Sequence, residues 1–185
     1  MTDTPREAIH VLRQALLDYA GRWPKEAGFE PFIALLDAPQ DPFSRSRLAG
    51  HFTASAWLVD RSGSRVLLTH HRKLGRWLQL GGHADGDRDL ARVALKEAEE
   101  ESGLSGLQVE PEPFDLDRHW IPERGAVPGH WHFDVRYVVR AGENEDFVVS
   151  EESLDLAWRD IRALAEDAGS DESMRRMAVK WLQRG

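Results

Sequence analysis

The 185-residue chain contains no cysteine. Disulfides, thiol nucleophiles and thiolate metal centres are therefore excluded, and a reducing compartment, the cytoplasm, is the default expectation. Positive charge is also in short supply: 24 Lys and Arg stand against 32 Asp and Glu, a net charge of −8. Stable binding to nucleic acid is not expected, because it needs a basic surface that displaces counterions from phosphates. No apolar run approaches the length that crosses a bilayer, and the polar N-terminus lacks the apolar core of a signal peptide, so no membrane partner is expected. With 41% hydrophobic residues, the chain still has enough apolar material for one core of ordinary size.

The most informative stretch runs from Gly81 to Leu104. Leu90, Val93, Ala94 and Ala98 recur at helical spacing, Asp89 suits an N-cap, and Gly103 stands where a helix stops. A glycine loop followed by a helix is predicted. At about 100° per residue, Glu97, Glu100 and Glu101 share one face of that helix. Like charges at these spacings disfavour an isolated helix by about 0.2–0.5 kcal/mol per pair, unless solvent or a cation offsets them. A solvated acidic face is the plainer reading of such a run. The oxygen-only donors equally suit a hard divalent ion such as Mg²⁺, and the flanking glycines favour the second reading.

In register, this stretch resembles the signature of the Nudix hydrolases, G-x5-E-x7-R-E-U-x-E-E-x-G-U, where U is aliphatic. Gly82 matches the first glycine, Glu97 the acid after the arginine, Glu100 and Glu101 the acidic pair, Gly103 the last glycine and Leu104 the closing aliphatic. Two positions depart: Arg88 stands at the first glutamate and Lys96 at the arginine. Asp87 and Asp89 are the neighbouring candidates for the missing carboxylate. Lys96 keeps the charge but lacks the planar fork of arginine. Upstream, Trp77 to Gly82 resembles the strand that enters this loop, with Leu80 in place of the common proline.

Along the rest of the chain, Thr4-Pro5-Arg6-Glu7 reads as a capped helix start that leads to Gly21, and a second short helix is predicted from Phe29 to Leu36. These helices suit packing or pairing in a homodimer. Strands are predicted over His51–Val59 and Arg65–Thr69 around a turn-forming run, followed by a basic loop from His70 to Arg76. Arg76 in that loop is a candidate for contact with substrate phosphates. Short strands are expected at Leu107–Val109 and Phe114–Ile121, broken by prolines. His130 to Tyr137 alternates strictly, which places His130, His132, Asp134 and Arg136 on one face. His130, His132 and Arg136 are the candidate substrate contacts on that face, while zinc on His130 and His132 with His119 is a lesser alternative. A last strand is expected at Leu154–Trp158, then helices over Asp160–Ala168 and Ser170–Gln183.

The Nudix resemblance covers roughly residues 51–168. It implies an α+β fold, an α/β/α sandwich around a mixed sheet, with residues 43–185 as the Nudix domain and residues 1–42 as an N-terminal helical extension. It implies metal-assisted hydrolysis of a diphosphate linkage in a small molecule, a nucleoside diphosphate joined to another group. Mg²⁺, or alternatively Mn²⁺, would be held by Glu97, Glu100, Glu101 and the carbonyl of Gly81. Nudix enzymes often carry a further glutamate ahead of the last strand, which points to Glu151 and Glu152. The base lies among Glu97, Glu151 and Glu152, and the sequence does not choose between them. The competing reading is a Nudix-fold ligand-binding module with weak or lost catalysis. Isomerisation of isopentenyl diphosphate, which shares the fold, leans on a cysteine that this chain lacks.

Overall fold

The computed structural model describes residues 4–24, 26, 28–72, 74–150 and 153–184. Thr4 caps α1 (Pro5–Arg22), its hydroxyl accepting from the amide of Glu7, and α2 (Glu30–Leu36) follows. The sheet then assembles from β1 (Gly50–Val59), β2 (Arg65–His71), β3 (Arg76–Leu78), β4 (Leu80–His83), β5 (Gln108–Ile121), β6 (His130–Arg140) and β7 (Ser153–Asp160). Between β4 and β5 lies α3 (Leu90–Ser102), capped by the Asp89 side chain and closed by Gly103 in the left-handed conformation, φ 68°. The chain ends in α4 (Ile161–Glu166) and α5 (Glu172–Leu182).

All ten residues of β1 are buried, because it is the hub of the mixed sheet. It pairs in parallel with β6 along its length, and antiparallel with β4 over its middle, Thr53 to Ala56, and with β2 at its end. Alternation then separates two faces. Phe52 and Ala54, with Phe133, Val135 and Tyr137 of β6, pack against Leu12 and Leu16 of α1, Phe32, Leu35 and Leu36 of α2, and Leu90, Val93 and Ala94 of α3. On the other face Trp57, Val59 and Val138 meet Ile161 of α4 and Met174, Met177 and Ala178 of α5. Helices on both sides of a mixed sheet, preceded by helices at the N-terminus, are the architecture expected from the sequence. The two N-terminal helices share the central core with the strands, Phe32 meeting Phe133 edge to face at 5.4 Å. Burying a side chain of that size contributes about 1.5–3 kcal/mol.

Two local expectations change. The strands around Pro113 are one edge strand, β5, whose register with β6 jumps from Val109/Val139 to Pro113/Tyr137; proline lacks the amide for the ladder, and an edge strand tolerates the gap. Of the basic stretch read as a loop from His70 to Arg76, His70 and His71 belong to β2 and Arg76 to β3, His71 pairing with Arg76, and Gly75 between them stands at φ 63°.

Beyond the apolar end of the α5 face, charge is buried. Arg136 meets Asp134 at 2.8 Å, Asp115 at 3.3 Å and Asp117 at 3.3 Å. From α5, Arg176 reaches Asp115 at 2.8 Å and Asp117 at 3.1 Å, and Lys180 reaches Asp115 and Glu26, both at 2.8 Å. Burial acts to raise the carboxyl of Asp115, but the hydrogen bond from Arg176 and the charges of Arg136 and Lys180 hold it below the usual range. Asp117 is likewise pulled down, against burial, by His119 and Arg136.

Asp115→Ala, which takes a shared carboxylate from buried Arg136 and Lys180 and from half-buried Arg176, is expected to lower unfolding free energy by about 3–5 kcal/mol in urea titrations. Arg13→Ala, which opens the exposed Arg13–Asp37 pair, should change it by less than about 1 kcal/mol. Because Asp115 and Asp117 are depressed in the folded state, their contribution is complete above the unfolded value of about 3.8 and is lost as pH falls through the lower folded values. Urea titrations from neutral pH down to about pH 2.5 should show that decline in the wild type and a shallower one in Asp115→Asn.

Candidate active site

The signature glycines are placed by β4, which lies antiparallel to β1 with Gly82 opposite Ala54, Gly81 opposite Ser55 and His83 opposite Thr53. Gly82 therefore faces α3, and Gly81 and His83 face the other side. A Cβ at Gly82 would stand 2.6 Å from Cδ of Glu97, so only glycine leaves room for that carboxylate. At the strand edge, the Gly81 amide donates to Oε1 of Glu101 at 2.8 Å. Glu100 lies further out, 59% exposed, with its carboxylate 3.4 Å from the ammonium of Lys96 one turn back. The donors are all oxygens, and a glycine cradle seats one of them against the strand. Oxygen donors are the kind a hard divalent ion takes, while among the described residues the three carboxylates do not gather to one point.

The departures from the signature have visible consequences. Arg88 turns away from the glutamates, its guanidinium 3.4 Å from Asp41 and 5.7 Å above the ring of Phe43, so it ties the signature loop to the chain ahead of β1. Asp89 caps α3 by accepting from the Arg92 amide at 3.0 Å, and Asp87 is held by the Arg92 side chain at 2.6 Å, which draws its carboxyl down against the effect of burial. Both aspartates serve the N-terminus of the helix. Asp85, at φ 50°, is fixed by Arg45, whose hydrogen bond lowers its carboxyl.

Across β4, the opposite sheet face carries imidazoles. His51 of β1 pairs in register with His132 of β6, which in turn pairs with His119 of β5, and His83 of β4 completes the row. Among the described residues, the donor atoms of His51, His83 and His132 gather within 4.8 Å of one another. Burial and the nearby Arg45 push His83 down to about 4, and burial with the other rings pushes His132 down to about 2. Both rings are neutral near pH 7. Of this row the sequence reading singled out His119, His130 and His132; His51 and His83 were missed. The available signals were the period-two pattern of His51, Thr53 and Ser55 and the position of His83 directly after the glycines.

The remaining candidates are dispersed. Arg136 is buried and taken up by three aspartates, while Asp134 also accepts from Thr53, Ser55 and Gln79. His130 is buried beside His132, with their Nε2 atoms 3.2 Å apart. Arg76 is 62% exposed and lies 3.6 Å from Asp171, at the rim of a cavity of about 270 Å³ between β3 and α5. Glu151 and Glu152 lie outside the described residues. Ser153, which follows them, is buried, bonds to Thr69 at 2.7 Å and accepts from Arg72 at 3.0 Å.

Solved structures share this fold. A hydrolase of the NUDIX family from Clostridium perfringens is 25% identical, with 72% of this chain and 96% of that chain covered and a TM-score of 0.58. The E. coli dihydroneopterin triphosphate pyrophosphohydrolase is 15% identical, covering 72% and 96% with a TM-score of 0.57. A C. elegans Ap4A hydrolase in a binary complex is also 15% identical, covering 71% and 95% with a TM-score of 0.54. No curated protein matches the chain. The model of the NUDIX domain matches residues 50–180, a span that contains every strand of the sheet and the α3 helix with its glutamates, and on that match the chain belongs to the NUDIX family.

Proposed function

We propose that this NUDIX hydrolase cleaves a diphosphate linkage in a nucleoside diphosphate joined to another group, using Mg²⁺ or Mn²⁺ held by Glu97, Glu100, Glu101 and the carbonyl of Gly81. The observation that carries this reading is the fit of the Glu97 carboxylate into the space that Gly82 leaves, beside Glu101 anchored on the Gly81 amide. Such a metal supplies charge neutralisation for the phosphoryl oxygens and acidifies an attacking water. The chain's own residues do the positioning. The Gly81 amide fixes the direction of Glu101, the rigid strand behind Gly82 limits the travel of Glu97, and α3 fixes the spacing of the three acids. Glu97, Glu151 and Glu152 are the carboxylates available to take the proton from water. Arg76, exposed near the end of the sheet, is the side chain we assign to an outer phosphate, and Arg136 supports the strand from within its aspartates. The cysteine-free composition suits the reducing cytoplasm, where we place the activity.

A second reading has specific support. Lys96 sits on Glu100, and Arg88 replaces the first signature acid and points elsewhere, so a ligand-binding module with weak catalysis is the alternative. Ap4A and dihydroneopterin triphosphate are named for two structural neighbours, but their likeness to this chain extends to the fold alone and does not choose a substrate.

The decisive assay is phosphate or nucleotide release from nucleoside triphosphates, dinucleoside polyphosphates, ADP-ribose and sugar nucleotides, with Mg²⁺, Mn²⁺ or EDTA. Turnover that requires metal and falls more than about 100-fold in Glu97→Gln and Glu100→Gln supports the hydrolase. Ligand binding without turnover on any compound supports the module instead. Gly82→Ala separates geometry from folding: its new Cβ meets the flexible end of Glu97, so the melting temperature should stay within a few degrees while kcat falls on the order of 100-fold.

A further inference from the structure

The imidazole cluster on the far side of β4 is used by no step of the hydrolysis proposed above, and its arrangement is chemically specific. Ring centroids of His51 lie 5.2 Å from His83, 5.1 Å from His130 and 5.1 Å from His132, and His83 lies 5.0 Å from His132. Cross-strand pairing brings them together from three adjacent strands, β4, β1 and β6.

Hydrogen bonding sets how the rings face. Nδ1 of His51 is 3.3 Å from the carbonyl of Arg47, and Nδ1 of His130 is 2.9 Å from the carbonyl of Pro128. A carbonyl only accepts, so both Nδ1 atoms carry the proton and both Nε2 atoms present lone pairs. His119 is turned in the same way by the carboxylate of Asp117, 3.0 Å from its Nδ1. Outward Nδ1–H on an oxygen acceptor with Nε2 left bare is the orientation that metal-bound histidines adopt. His51 is 2% exposed, and its Nε2 has no hydrogen-bond partner, an unfavourable state for a buried acceptor that a cation would relieve. Nε2 of His130 lies at hydrogen-bonding distance, 3.2 Å, from Nε2 of His132, and so holds that ring from beside the group of His51, His83 and His132.

We infer that His51, His83 and His132, whose ligand nitrogens gather within 4.8 Å of one another, bind one transition-metal dication of the zinc class. Imidazole nitrogens select such an ion over Mg²⁺, which takes oxygen donors, so this site and the glutamates of α3 hold different metals on opposite faces of β4. Three imidazoles hold the ion and leave a fourth position to water. The ion is a clamp that joins β4, and with it the signature glycines, to β1 and β6.

The test uses tag-free full-length protein stripped with a chelator, then titrated with zinc by calorimetry and with Co²⁺ as an optical probe. Expected are one zinc per chain, Co²⁺ bands of a four-coordinate site, and a rise in melting temperature of about 5 °C or more at 100-fold excess over Kd, which Mg²⁺ does not reproduce. His83→Asn and His132→Asn should each weaken zinc binding about 100-fold or more while circular dichroism stays native, and Glu100→Gln should bind zinc as the wild type does. Wild-type protein that takes up no stoichiometric zinc, or that gives Co²⁺ bands of an octahedral oxygen site, overturns the inference even where the histidine variants fail to fold. So does zinc binding that both histidine variants retain or that Glu100→Gln abolishes. Hydrolysis is not the readout, so failure of the proposed enzymatic activity leaves this result interpretable.

Discussion

The rest of this molecule depends on the parallel ladder between β1 and β6. Its register sets His51 beside His132, Thr53 beside Asp134 and Ser55 beside Arg136, and in the same stroke sets Phe52 beside Phe133 and Ala54 beside Val135 on the other face. A slip of one residue would turn aspartate, arginine and imidazoles into the apolar layer beneath α1, α2 and α3, and phenylalanines out of it. The alternation of the two strands therefore leaves one register compatible with burial. β4 reads its position from the same strand, and that decides which face each signature glycine presents.

Along the α5 face of the sheet the environment changes in steps. Trp57 and Val138 lie in the apolar packing under α5, Arg136 and Asp134 lie in an ionic layer, and the histidines lie beyond. The ionic layer is held together because its charges are matched in three dimensions. Asp115 receives Arg136 from the sheet, and Arg176 and Lys180 from α5, so the last helix is tied to the edge strand by charge as well as by Met174 and Met177. Lys180 also reaches Glu26, which brings the N-terminal segment into the same network. Removing one member leaves others charged and dry, a condition more costly than never having had the network.

Much of this was legible in the sequence. The cap and stop of α3, the capped start of α1, the alternation of β6 and the spacing of Glu97, Glu100 and Glu101 are local patterns, and local patterns report on elements they lie within. The proline-interrupted edge suggests two strands, because sequence shows the missing amide but not whether a neighbour needs it. Alternation puts Arg136 on the polar face of its strand without saying what covers that face, so the sequence suggests a substrate contact. Its three aspartate partners come from its own strand and from β5, and only folding shows that together they enclose it.

By itself, then, the sequence determined the family, the helix that carries the acids, and the glycines that flank it, since each is encoded within about twenty consecutive residues. The tertiary structure alone decided that Arg88 leaves the signature to hold Asp41, that Lys96 meets Glu100, and that His51 and His83 join His132. The reason is separation along the chain. Residues 51, 83 and 132 share no period and no motif, and only the hydrogen-bond register of three strands brings their nitrogens to one point.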